Sequence, residues 1–183
     1  MKANSVLTIT HQSFGKDEAK TFDVEPYCMK MSARRWYLLA RNVDRNCLRL
    51  YALDRLENVR MTDVKFAMPK DFNAKEYFSE YFGIMLDDKV PVQRIVLRAD
   101  EYHQHYMRTL PLHPSQREIF TCDKYADFEL HLRPTYDFYM KLMSFGDMIK
   151  VMEPESLRDE LRKWLNKTLK VYDESKGNES KTF

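Results

Sequence analysis

Hydrophobic and polar positions alternate in short runs through the first seventy residues. VLTIT (Val6–Thr10) is rich in β-branched side chains and runs into a turn at Phe14-Gly15-Lys16-Asp17. TFDVEPYCM follows, and Pro26 within it marks an edge or a bend, because proline has no N–H to give to a ladder. RRWYLLARNV is the strongest strand pattern in the chain. Trp36, Leu38 and Ala40 project to one side, and Arg35, Tyr37, Leu39 and Arg41 to the other. A turn at Asp44-Arg45-Asn46 leads to CLRLYALD, where Leu48, Leu50 and Ala52 share one face and Arg49, Tyr51 and Leu53 share the other. A short strand around Leu56–Val59 completes a set of five. Short strands at this spacing predict a small barrel or sandwich, and closing a barrel would remove the exposed edges.

The pattern then changes. Asn73 followed by Glu76 reads as a variant capping box and Gly83 as a helix stop, with Tyr77, Phe78, Tyr81 and Phe82 forming an aromatic stripe suited to packing. From about Val90 the order is strand–helix–strand–strand–helix–strand–helix. VQRIVLRA is a strand and Glu101–Leu110 a helix. REIFTC and ADFELHLRP form a hairpin around Asp123-Lys124. TYDFYMKLMSFG is a helix ended by Gly146, and MIKVM is a strand. Pro154 opens a final helix with Leu157, Leu161, Trp164, Leu165 and Leu169 on one side. The tail DESKGNESKTF is polar and expected to be disordered. The expected organisation is α+β: strands over residues 1–70, a linker helix over 71–89, a mixed unit over 90–172 and a tail over 173–183.

Composition narrows the function. Apolar residues make up 44% and charged residues 32% of the 183, as in ordinary soluble domains. No apolar run approaches the ~20 residues a membrane helix needs, and MKANSVLTITHQ lacks the apolar stretch of a signal peptide. The expected location is the cytoplasm, with no membrane partner. Cys28, Cys47 and Cys122 form no CxxC pair, and the five histidines show no metal-binding spacing, so no metal or cofactor is expected. A Gly-rich nucleophile elbow is missing, and the acidic pairs Asp87-Asp88 and Asp159-Glu160 lie in surface-like contexts. The expectation is a protein that is not an enzyme. Charge is uneven: residues 1–70 hold 13 Lys+Arg against 8 Asp+Glu, and residues 71–183 hold 17 against 20. Anionic partners are plausible for the first part.

Arginines and aromatic residues interleave there: Tyr27, Arg35, Tyr37, Arg41, Arg49, Tyr51 and Arg55. Arginine suits phosphate and rings stack bases, the chemistry of single-stranded nucleic-acid surfaces. The plainer alternative is that the tyrosines cap the core and the arginines face solvent.

RRWYLLARNVDRNCLRLYALDRLENV resembles the defining stretch of WYL-domain proteins. Trp36-Tyr37-Leu38 is the naming tripeptide, Arg49 to Leu56 fits R-x-[FY]-x-L-D-R-[IL], and Val24-Glu25-Pro26-Tyr27 fits an upstream h-x-P-[YW] element. His11 stands where the family usually has a tyrosine. Leu112-His113-Pro114-Ser115-Gln116 and FYMKLMSFGDMIKVMEPESLRDEL resemble the family's C-terminal extension, so the likeness spans roughly residues 5–172.

The resemblance implies a small SH3/Sm-like five-stranded β-barrel followed by a ferredoxin-like βαββαβ extension with a C-terminal helix. It implies the sensing part of a bacterial transcription regulator that binds single-stranded nucleic acid or a nucleotide. The resemblance implies groove residues at Arg49 and Arg55, with Tyr37, His11 and Ser13 nearby; Arg41 and Tyr51, from the interleaved pattern above, complete the expected ligand-binding set. It also implies a homodimer. Family regulators carry a winged helix-turn-helix before the barrel, whereas here the first strand begins around Ser5. Duplex DNA would be read only through such an element. The chain is then either the regulatory part of a longer regulator or a free-standing accessory module acting through protein contacts.

Overall fold

A computed structural model describes residues 4–173. The expected tail falls outside these residues, apart from Asp173, which ends a helix. The chain divides into two compact units, Met1–Phe78 and Ser79–Phe183.

The first unit is one antiparallel sheet of β1 (Ser5–His11), β2 (Lys20–Ser32), β3 (Arg35–Asn42), β4 (Cys47–Ala52) and β5 (Leu56–Lys65), in the order β4-β3-β2-β1-β5. Pro26 is not at a sheet edge, because β2 lies between β1 and β3. It sits inside the 13-residue β2, and the β2–β3 register slips between Pro26 and Cys28. A bulge is how a central strand accommodates a residue with no N–H. The first half of β2 pairs with β1 and the second half with β3. A 3₁₀ turn at Leu53–Arg55 joins the two edge strands β4 and β5. No ladder pairs β4 with β5 among the described residues. β5 runs further than the sequence pattern indicates, because Thr62 and Lys65 keep bonds to β1: the Thr62 hydroxyl donates to the Val6 carbonyl at 2.9 Å and Lys65 Nζ to the Ser5 hydroxyl at 2.7 Å.

Register assigns the faces. Leu7 lies opposite Val24, Ile9 opposite Phe22, Leu38 opposite Tyr51, and Ala40 opposite Arg49. One sheet face therefore carries the core of Ile9, Val24, Leu38, Ala40 and Tyr51, flanked by Leu7, Phe22, Leu53 and Leu56.

In the second unit, β6 (Gln93–Asp100), β7 (Arg117–Thr121), β8 (Tyr125–Leu132) and β9 (Ile149–Glu153) form an antiparallel sheet ordered β7-β8-β6-β9. With α2 (His103–Thr109) between β6 and β7 and α3 (Tyr136–Met143) between β8 and β9, this is the βαββαβ order of a ferredoxin-like unit. α4 (Glu155–Asp173) follows. Alternation builds the core: Ile95, Leu97 and Ala99 from β6, and Ala126, Phe128, Leu130 and Leu132 from β8, meet Met107, Phe138, Leu142 and Leu157 from the helices. The intervening positions carry ion pairs, Arg98 with Asp127 at 2.7 Å and Glu129 with both Arg94 and Arg117.

The expected linker helix is shorter than its pattern. α1 covers Ala74–Ser79, with Asn73 Oδ1 accepting from the Lys75 N–H at 2.9 Å. The aromatic stripe is divided: Tyr77 and Phe78 belong to the first unit, whereas Tyr81 is buried in the second and Phe82 packs on Phe138. Gly83 does not stop the helix, which has already ended. A Cβ there would lie 2.1 Å from the Asp137 carboxylate, and that carboxylate accepts from the N–H groups of Ile84 and Met85. Glycine is needed for the close approach. The polar-faced final helix is also only partly covered: Leu157 is buried, whereas Leu165 and Leu169 are 46% and 59% exposed. No helix among the described residues is long and apolar enough to cross a membrane.

Candidate ligand-binding site

The core face of the first sheet changes character at one end. Beyond Ile9 on β1 comes His11, paired with Lys20 on β2; beyond Ala40 on β3 comes Asn42; and Ala40 faces Arg49 on β4. Apolar side chains thus give way to cationic and polar ones along the same pleated surface. There a cavity of about 400 Å³ opens, bounded by His11, Asn42, Arg49, Tyr51 and Arg55. Ser13, Lys16, Lys20 and Arg45 also reach it.

Three local devices hold this end. The β1–β5 register slips between Thr10 and His11, a bulge that re-aims the strand end. The Gln12 N–H donates to the Arg55 carbonyl at 3.1 Å, tying that strand end to the 3₁₀ turn. Asn42 braces the opposite side: its Oδ1 accepts from the Arg45 N–H at 2.8 Å and its amide donates to the Tyr51 hydroxyl at 3.3 Å.

Charge at the cavity is unbalanced. Lys16, Lys20, Arg45, Arg49 and Arg55 line it against Glu18 and Asp44. Among the described residues, the salt bridges of this unit are Arg35–Asp54 and Arg41–Glu25, so none of the five cations is neutralised by one. His11 Nε2 and Arg55 Nε are buried without a hydrogen-bond partner among the described residues. A buried polar atom left unpaired costs about 1–3 kcal/mol. Burial, then the charge of Arg55, push the His11 pKa below its ordinary value. Burial pushes the Tyr51 pKa up, so its phenol stays protonated. The site therefore brings together several cations, an imidazole with a lowered pKa and a protonated phenol.

Of the seven residues named from the sequence, His11, Ser13, Arg49, Tyr51 and Arg55 line this cavity. Tyr37 and Arg41 do not: they alternate with Leu38 and Ala40 and so stand on the opposite sheet face. Tyr37 is buried there, and Arg41 is held by Glu25, its Nε donating at 2.7 Å, and by Asn46 at 2.6 Å. Lys16, Lys20 and Arg45 went unnamed because turns and a strand end supply them; the pairing of His11 with Lys20 is the signal that finds one of them.

Comparison with known proteins follows the two units. The family model described as WYL domain matches residues 1–61, and that described as WCX domain matches residues 91–169. No curated protein matches the chain. Among solved structures, the chain is similar to a CRISPR Cas-related protein, with TM-score 0.53 and 13% identity, over 95% of this chain and 49% of that one. It also aligns with proteasome accessory factor B/C (PafBC) of Arthrobacter aurescens, with TM-score 0.41 and 22% identity, over 88% of this chain and 24% of that one. The chain thus spans half or less of each of these structures.

Proposed function

The chain belongs to the WYL-domain family, and from that premise we propose that it is the ligand-sensing portion of a bacterial transcription regulator. Its ligand is an anion of the single-stranded nucleic acid or nucleotide class, bound in the cavity between His11, Arg49, Tyr51 and Arg55. The observation that carries this reading is the sheet face that passes from an apolar core to Lys20 and Arg49, joined at the cavity by Lys16, Arg45 and Arg55 from turns, with none of the five in a salt bridge among the described residues. Arginine forks bind phosphate bidentately, and a half-apolar wall accepts a sugar or base. The role is one of binding, not catalysis.

We take the five-stranded sheet to curl into an SH3/Sm-type barrel. The order β4-β3-β2-β1-β5, the bulge at Pro26 and the 3₁₀ turn between the edge strands support it. The regulator works as a homodimer in the cytoplasm, and ligand binding must favour one arrangement of that dimer over another to switch anything.

Fluorescence anisotropy with a short labelled oligonucleotide tests the reading. A single strand should bind more tightly than the matching duplex. With about three phosphate contacts, affinity should fall about 10- to 20-fold between 50 and 200 mM salt. Equal affinity for duplex and single strand, or no binding at low salt, rejects the nucleic-acid ligand.

A further inference from the structure

A second cavity, of about 320 Å³, is lined by Phe14, Asp54, Arg55, Leu56 and Glu57 among others. It shares Ser13, Lys16 and Arg55 with the first. The two therefore make one groove in which Arg55 stands between two compartments.

The compartments differ in charge. The first has five cations against two carboxylates, whereas the second sets Lys16 and Arg55 against Asp54 and Glu57. A phosphate is favoured in the first and at the shared boundary. The charge-balanced second compartment suits a neutral group that can donate hydrogen bonds.

Phe14 supplies the surface for such a group. Lys16 N–H donates to the Ser13 carbonyl at 3.2 Å, closing a turn with Phe14 and Gly15 at its centre. Gly15 has φ 70°, the positive value that the third position of a type II turn requires. The Gln12 amide braces the turn by donating to the Lys16 carbonyl at 3.3 Å. The turn holds Phe14 77% exposed, with the Arg55 guanidinium 4.3 Å from its ring centroid. A lone exposed aromatic is ordinary on a protein surface. This one is stacked on the cation that divides the groove and lines the compartment where phosphate is not favoured.

We propose that Phe14 and the second cavity form a base-stacking subsite, so that the groove takes a dinucleotide step of single strand rather than a mononucleotide. One nucleotide occupies the first cavity, the connecting phosphodiester lies at Arg55 and Lys16, and the next base stacks on Phe14. The assignment rests on the nucleotide reading above and adds a minimum ligand length to it.

The test compares thymidine monophosphate with the 5′-phosphorylated thymidine dinucleotide by calorimetric titration of the full chain. A stacked base is worth about 5- to 150-fold in affinity, so the dinucleotide should bind at least about fivefold more tightly than the monophosphate. Phe14→Ala should bring that ratio below about threefold, and Phe14→Trp should keep it. A 2-aminopurine in the second position should be quenched on binding to the wild type and not to Phe14→Ala. An exposed turn residue is not needed for folding, and a melting curve checks it. Equal affinities for the two ligands, or a ratio unchanged in Phe14→Ala, would overturn the subsite and leave the nucleotide reading intact. If neither ligand binds, both fall.

Discussion

The rings of His11 and Tyr51 meet edge to face, their centroids 5.5 Å apart and their planes inclined by 76°. The contact joins the end of β1 to the end of β4, and both rings line the cavity. It also buries an imidazole beside Arg55, and both burial and that charge lower its pKa from the ordinary 6.5. A lowered folded pKa means that the unfolded chain takes the proton first. The stability this group contributes is complete above pH 6.5 and is lost as pH falls through the folded value. The melting temperature of the first unit should therefore drop between pH 7 and pH 5 in the wild type and less in His11→Gln. An anion in the cavity reverses the preference, since it favours the protonated ring. Affinity for a phosphodiester strand, which does not titrate in this range, should rise as stability falls. Parallel melting curves for the two proteins would show that His11 is not the titrating group.

Arg49 and Arg41 separate binding from stability. Arg49 is exposed at the cavity and has no salt bridge among the described residues, so Arg49→Ala should lower ligand affinity by about 1–3 kcal/mol with little change in melting temperature. Arg49→Lys should restore part of it, because an ammonium replaces a bidentate fork. Arg41 instead satisfies Glu25, whose side chain is only 10% exposed. Arg41→Ala strands that carboxylate and should cost about 1–3 kcal/mol of stability while leaving affinity near wild type. Calorimetric titration run beside thermal melts on both variants decides. An unchanged affinity for folded Arg49→Ala would remove it from the site.

These two arginines also mark where the sequence stops being legible. Alternation within RRWYLLARN separates Tyr37 and Arg41 from Leu38 and Ala40, and alternation within CLRLYA puts Arg49 with Tyr51. It does not say which face of one strand matches which face of the other. That needs register, and one residue of slip would exchange the faces. Leu38 opposite Tyr51 decides it, placing Arg49 on the core face and Arg41 on the reverse. Strands, the hairpin at Asp123-Lys124 and the βαββαβ order were legible because they rest on local pattern. Lys16 and Arg45 were not, because turns carry them to the cavity. The role of Gly83 was hidden for a related reason: its partner, Asp137, is 54 positions away.

Glu129 gives the second unit its acid limit. Its carboxylate is nearly buried and accepts from Arg94 Nε at 2.5 Å and Arg117 Nη2 at 2.7 Å, with His131 Nε2 at 3.2 Å. Hydrogen bonds from Arg117, then Arg94 and His131, lower its pKa from 4.5 to about 2. A depressed carboxylate contributes stability that is complete above its unfolded value and lost as pH falls toward the folded one. The second unit should weaken between about pH 4.5 and pH 2. Glu129→Gln should be less stable at neutral pH and flatter across that window, followed by circular dichroism on the full chain. A variant with the wild-type acid profile would assign the transition to another group.

The uncovered half of α4 bears on assembly. Leu157 at its start is buried, whereas Leu165, Leu169 and Tyr172 are 46%, 59% and 74% exposed. Spacings of four and three place them on one helical stripe. A stripe of two leucines and a tyrosine left in water forgoes about 25 cal/mol for each Å² of apolar surface it could bury. Pairing with the same stripe of a second copy would recover it on both sides of a two-fold axis, the commonest symmetry of homo-oligomers. The aromatic stripe of the linker is not available for this, since Tyr81 is buried and Phe82 packs on Phe138. Light scattering at micromolar concentration should report a dimer for the wild type. The double variant Leu165→Glu, Leu169→Glu should be a folded monomer whose melting temperature falls only by what association contributes, because neither side chain belongs to the core. A monomeric wild type, or a double variant that remains dimeric, would remove α4 from the interface.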